Sequence, residues 1–305
     1  MSDTSGYQWK AYQYTPNRGV NIEFTVLFGL SVVAGICQVM NARRKFNGRI
    51  ERKKLRRYTG LMAPFIVGSA LECVGYVCRL ISAQDLEALG PYIIQSIFIL
   101  IGPAFYAATI YMVLGEVIRV LGAEAHSFIP VKYLTKVFVI GDVVSLLLQA
   151  AGGGIQGGGT LEMLHLGEKL IIIGLFVQIA FFAFFIAVMG NFFIRCSMRP
   201  VQGAKAQECS SSFWQSWQFL LFEMTLTSSF IMIRSVYRVI EYLQGYNGTL
   251  ISDEKYLFIL DSSMIFFAMV TVLLANISQW LSKVRFWQEN DNAHEMLGFV
   301  KPPSV

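Results

Sequence analysis

FWQSWQFLLFEMTLTSSFIMIRSVYRVIEY, residues 213–242, is long and apolar enough to cross a bilayer, yet it carries Glu223, Arg234, Arg238 and Glu241. About 20 mainly apolar residues span a hydrocarbon layer of roughly 30 Å. An ionisable side chain near the centre of that layer costs about 2.5–3.5 kcal/mol on insertion scales, so it normally faces a bundle interior, a water-filled cavity or a partner charge. Arg234, Arg238 and Glu241 follow each other at helical spacings and share one face, where Arg238 and Glu241 can pair locally. Arg234 then needs a partner from another helix. Glu72, Asp142 and Asp261 are the acids on offer in the other apolar stretches, and Asp261, expected at a similar depth, is the preferred counter-ion. The stretch predicts a helix that lends a polar face to a shared interior site.

The rest of the chain has the same character. Its 305 residues are 54% hydrophobic and 15% charged, with mean hydropathy +0.51, against about a quarter charged for an ordinary soluble domain. Apolar stretches at 20–40, 59–81, 92–119, 132–151, 167–194, 213–242 and 255–281 predict an all-α polytopic membrane protein with seven transmembrane helices. The expected division is an exoplasmic tail over 1–19, a seven-helix domain over 20–282 and a cytoplasmic tail over 283–305. The first residues lack the charged start, short apolar core and cleavage site of a signal peptide, so the first span is expected to direct insertion itself.

Orientation follows from the basic residues. Arg43, Arg44, Lys45, Arg49, Arg52, Lys53, Lys54, Arg56 and Arg57 crowd the polar interval 41–58, whereas the second loop carries Asp85 and Glu87. Positive loops stay in the cytoplasm, which places the N-terminus outside and the C-terminus inside. Asn247-Gly248-Thr249, a glycosylation acceptor pattern, then falls on the outer side. The basic interval is read first as this topology signal; binding of anionic lipid is the sharper alternative, and nucleic-acid binding is disfavoured because no accompanying domain is present.

Polar residues recur at helical spacing in other spans. Glu72, Tyr76 and Arg79 share a face of the second, with Arg79 near enough to the outer interface to snorkel. In the third span, Gln95 and Tyr111 flank Pro103, which removes a helix hydrogen bond and predicts a kink. Asp142, Ser145 and Gln149 line one face of the fourth and lead into Gly152-Gly153-Gly154-Ile155-Gln156-Gly157. That glycine run matches a dinucleotide pattern by letter only, since no strand-helix unit surrounds it; closely approaching or flexible backbone at a cavity mouth is the better reading.

Together Glu72, Tyr76, Arg79, Tyr92, Gln95, Pro103, Tyr111, Gly115, Asp142, Ser145, Gln149, Gly152-Gly153-Gly154, Arg234, Arg238, Glu241, Glu254 and Asp261 resemble the fungal lipid-translocating exporter family, which includes sphingoid long-chain base exporters and aminosterol-resistance proteins. The resemblance covers nearly all seven spans and departs from the family at Glu116, where a basic residue is expected. It implies a multi-pass protein, expected in the plasma membrane, that exports amphipathic lipids or toxic amphiphiles, with membrane lipids and an amphipathic small molecule as its partners. The residues themselves imply a polar cavity in the outer half of the bundle, suited to a charged head group whose tail stays in apolar surroundings.

A seven-helix receptor or sensor of lipid or drug response is the alternative. A retinal protein is disfavoured because the seventh span has no central Lys. An enzyme is not expected: no phosphate-binding G-x-x-x-x-G-K-[ST] run and no H-E-x-x-H occurs. Neither a cofactor nor a metal is expected, with His126, His165 and His294 in separate loops and tail. The odd set Cys37, Cys73, Cys78, Cys196 and Cys209 gives no disulfide framework. Single cysteines introduced over 41–58 are expected to react from the cytoplasmic side only, in impermeant-maleimide labelling of intact and opened cells; labelling from outside would reverse the assigned orientation.

Overall fold

The computed structural model describes residues 16–48, 50–84, 89–156, 161–198, 216–244, 248, 250, 253–284 and 286. Seven helices are long and apolar enough to cross a membrane: Arg18–Phe46, Arg52–Ser82, Gly90–Val120, Val131–Gln156, His165–Met198, Trp217–Gln244 and Glu254–Val284, here the first to seventh spans. The described residues form no β-strand; their only bridge is the isolated pairing of Asn47 with Ile50. The glycosylation pattern's Asn247 lies outside the described residues.

The helix ends show why the polar interval 41–58 is mostly not a loop. The first helix starts at Asn17, whose side chain accepts hydrogen bonds from the Gly19 and Val20 amides, and ends with Arg43, Arg44 and Lys45 in its last turn. Cations there complement the negative end of the helix dipole. After a short turn, with Gly48 at φ 76°, the chain re-enters helix at Arg52, and this amphipathic turn over Arg52–Gly60 leads directly into the apolar Ala63–Ser82. Lys and Arg are good helix formers, so charge alone does not stop either helix.

Successive spans pack as neighbours, the seventh returns against the first, and the third also touches the sixth. The third span is the central strut. Its most apolar window is 61% buried within the bundle, against 28% for the first. Around it Tyr106, Tyr111, Leu114, Val117 and Ile118 form a core with Phe65, Phe138, Phe185 and Trp217. The helix runs on through Pro103, and the seventh breaks further along: Asn276 takes a left-handed conformation (φ 43°, ψ 49°). Asn is among the few non-glycine residues that tolerate it.

Two seams depend on absent side chains. On the second–third seam, a Cβ at Gly102 would lie 2.6 Å from Glu72 Oε1, and on the fourth–fifth seam one at Gly152 would lie 2.6 Å from the Gly167 carbonyl oxygen. The glycine run at the end of the fourth span is thus, at Gly152, a close-approach device, while Gly153 has open space around it. Overpacking of this kind costs about 1–3 kcal/mol. Gly152→Val is expected to lower the melting temperature of purified protein by several degrees, followed by fluorescence-detected size exclusion, with Gly153→Ala unchanged.

Candidate functional site

The two arginines of the sixth span find a common partner on the seventh. Asp261 Oδ2 lies 2.7 Å from Arg238 Nη2, Asp261 Oδ1 accepts from Arg238 Nε at 3.0 Å, and Arg234 Nε approaches the same Oδ1 at 2.7 Å. Arg238 Nη1 also meets Glu241 Oε2 at 3.0 Å, and Tyr237 donates to Glu241 Oε1 at 3.3 Å. Asp261 is 1% exposed and Arg234 3% exposed, so this is an interior network. At 1.5 Å per residue, Asp261 sits about 10 Å along its helix and Arg234 about 15 Å from the end of its own.

A local irregularity aims Asp261. Residues Leu257–Ser262 form a π-helical stretch, in which the Ser263 amide bonds to the Phe258 carbonyl and the Ser263 hydroxyl donates to the same oxygen. The wider turn turns two consecutive side chains inward: Asp261 faces the arginines, and the Ser262 hydroxyl is hydrogen-bonded to that of Tyr76. Tyr76 is held by stacking on Phe24 and Phe28 of the first span, with ring centroids at 5.6 and 5.4 Å. Such π-helical turns occur disproportionately at functional sites.

Pro103 belongs to the same network. Proline has no N–H, so the carbonyl four residues earlier, Ile99, loses its helical donor. Arg234 Nη2 donates to that oxygen at 2.7 Å. The arginine that lacked a partner on its own helix therefore serves two needs, a buried carboxylate and a backbone acceptor left without water. At the break in the seventh span, the Leu273 carbonyl keeps a bond from the Asn276 amide at 3.3 Å and gains a second from Gln38 Nε2 of the first span at 2.7 Å.

Glu72 differs from its neighbours. It is 1% exposed, fits against Gly102, and its Oε1 has no hydrogen-bond partner among the described residues. Arg234, Arg238 and Asp261 are near enough to act on its charge. Arg234 and Arg238 against Asp261 and Glu241 already balance, so an ionised Glu72 is one negative charge in excess. Arg79 does not snorkel as its position suggested: it is 4% exposed and pairs with Glu254 at 2.9 Å, because Glu254 at the start of the seventh span comes within reach and also accepts from the Asn17 amide at 2.7 Å.

The remaining candidates form a second group. Asp142, Ser145 and Gln149 are buried on the fourth–fifth seam rather than strung along an open track, Ser145 donating to its own helix at the Asp142 carbonyl and Gln149 Nε2 to Gln178 Oε1 at 3.1 Å. The Tyr111 hydroxyl faces Asp142 without a hydrogen bond of good geometry, and its ring meets Phe185 edge-on at 4.4 Å. Gln95 is buried on the third span. Sequence reasoning gave no role to Ser262, Gln38 or the Ile99 carbonyl. For the last, the signal was the proline rule applied four residues back, a step the sequence reading did not take. Glu116, the departure from the family pattern, sits between Arg57 at 2.8 Å and Arg119 at 3.2 Å; its basic neighbours come from two helices.

A seven-helix membrane bundle with a buried arginine–carboxylate network is the class these observations define. The chain belongs to the family described as RTA1 like protein, matched over residues 65–283. It is 37% identical over 277 residues to Protein RTA1 of Saccharomyces cerevisiae, covering 88% of this chain and 84% of that protein. Protoporphyrin uptake protein 1 of the same organism is 34% identical over 273 residues, 82% of this chain and 86% of the relative. Sphingoid long-chain base transporter RSB1 of Saccharomyces cerevisiae is 27% identical over 290 residues, 85% and 71% respectively. No solved structure matches. The family and fold together make this a multi-pass membrane protein related to transporters of lipid-like compounds.

Removing one member of a buried ion pair typically costs about 3–5 kcal/mol. Asp261→Asn leaves two arginines sharing one acid and is expected to reduce folded yield sharply, whereas the exchange Asp261→Arg with Arg234→Asp is expected to restore part of it. Monodisperse peak height on size exclusion reads both. Pro103→Ala returns an amide donor to Ile99 and is expected to leave folded yield intact while freeing Arg234, which altered flux in vesicles would reveal.

Proposed function

We propose that this protein carries amphipathic, lipid-like molecules across the membrane, the charged head passing through the Arg234–Arg238–Asp261 network beside Glu72. The observation that carries the reading is Glu72: a buried carboxylate with an unpartnered oxygen, set against a network that balances without it. An ammonium head group, such as that of a long-chain base, gains a partner there; an acidic head group competes instead for the arginines. The relatives named for a sphingoid base and for protoporphyrin carry heads of these two kinds, and a site with both signs of charge accepts either by exchanging partners. The conformation described is closed over this site, so passage requires the sixth and seventh spans to part from the third.

The same proposal places the N-terminus outside and the cation-rich helix ends in the cytoplasm, in the plasma membrane, with no chemical step on the substrate. The cluster 72–76–261 then lies in the outer half, where a cavity opens when the network parts. Flux of a labelled long-chain amine through proteoliposomes holding only this chain tests it. Glu72→Gln is expected to fold as the parent does, because it gives up an unpaired charge, and to slow flux about tenfold, equivalent to the roughly 1.4 kcal/mol of one modest charge-assisted contact. Unchanged flux in a well-folded Glu72→Gln protein would refute the role of this carboxylate.

A further inference from the structure

The ion network leaves unexplained the most basic part of the molecule, at the opposite end of the bundle. There the last turn of the first helix meets the first turns of the second span, and Arg43, Arg44, Asn47, Arg52, Leu55 and Arg56 line a cavity of about 440 Å³. Arg52 and Arg56 are one helical turn apart and share a face. Arg43 Nε is tied to Thr59 Oγ1 at 3.2 Å, which fixes its direction. Arg44, Arg52 and Arg56 have no acidic partner among the described residues. The nearest acid in the sequence, Glu51, is engaged by Lys54 at 3.2 Å.

One lining residue, Leu55, belongs to a packed apolar support. Phe46, Ile50 and the buried Leu55 form a small apolar cluster of their own, closed by Phe286 from beyond the seventh span, with the Phe46 and Phe286 ring centroids 6.5 Å apart. The Asn47–Ile50 bridge holds the turn between the helices. The guanidinium groups are therefore presented from a fixed frame rather than from a solvated loop. A neighbouring cavity of about 510 Å³, lined by Lys53, Arg56, Arg57 and Arg119, shows the contrast: it contains Glu116, which takes Arg57 and Arg119. Topology signalling alone needs positive charge near the membrane end, not four guanidiniums around one space without a carboxylate.

We propose that this cavity is a binding site for a phosphate-bearing anion, the phosphorylated head group of a membrane lipid. Guanidinium forks match phosphate oxygens bidentately, and the site lies where a spanning helix leaves the hydrocarbon layer, so a lipid whose tails lie along the first and second spans reaches it with its head. A soluble phosphate compound shares that chemistry and is separated from the lipid by experiment.

The full-length protein in nanodiscs of neutral phosphatidylcholine is titrated with a phosphatidylinositol phosphate, and bound lipid is read by native mass spectrometry. Arg44→Gln/Arg52→Gln/Arg56→Gln is compared with Lys45→Gln/Lys53→Gln/Lys54→Gln, which removes the same charge from the same stretch. The arginine variant is expected to bind at least about tenfold more weakly than the lysine variant, since diffuse attraction, worth a similar amount for each cation near the surface, is lost equally from both. Equal weakening in both would show only diffuse attraction and overturn the site. Inositol phosphate without tails that displaces the lipid at equal concentration would assign the site to a soluble anion; displacement only at large excess assigns it to the lipid. Arg44→Gln alone, on an exposed position, gives the same comparison if the triple variant loses its fold.

Discussion

Asp261 is the point through which the bundle's interior charges are reconciled. Two arginines on the sixth span bring positive charge about 10–15 Å into the membrane, and a single carboxylate on the seventh takes both. Without it neither guanidinium is compensated by its own helix, beyond the one bond that Glu241 offers Arg238. The same acid joins the sixth span to the seventh, its neighbour Ser262 bonds Tyr76, and Arg234 beside it reaches the third span.

Interruptions in two helices are resolved by the same device. Pro103 leaves the Ile99 carbonyl without a helical donor and Asn276 disturbs the ladder at Leu273, and in each case a polar side chain from another span donates to the carbonyl: Arg234 in the first, Gln38 in the second, where it adds to the bond from the Asn276 amide. In water such a carbonyl would be solvated. Inside a bilayer an unsatisfied backbone group costs several kcal/mol, so an irregular helix and a polar residue elsewhere become a linked pair. These links join the third span to the sixth and the first to the seventh, and a bundle that opens between them must exchange those bonds for others.

The two ends of the molecule handle charge differently. Toward one end, acids and bases are matched with almost nothing left over: Arg79 with Glu254, and the arginines of the sixth span with Asp261 and Glu241. Glu72, shielded beside Gly102, has no such match. At the other end Glu116 compensates Arg57 and Arg119, while the arginines around residues 43–56 remain in excess. An interior of matched pairs and a rim that keeps surplus positive charge are different electrostatic solutions in one chain.

The seven spans were legible because the signal is set by the solvent: a hydrocarbon layer demands long apolar helices, and composition states that directly. The pairing of Arg238 with Glu241 was legible too, as residues three apart on a helix are neighbours whatever the fold. Asp261 as the counter-ion came from counting acids at a matching depth, but its service to both arginines required the π-helical turn at 257–262, which no periodicity announces. The structure alone separated Asp142, Ser145 and Gln149 from the arginine network, because a helix face has a direction only once its neighbours are known. It also set Arg79 against Glu254, far apart in the chain. The sequence by itself determined which residues must leave the lipid; the tertiary structure decided which of them meet, since partner choice depends on interhelical distances of a few ångströms that a linear pattern does not contain.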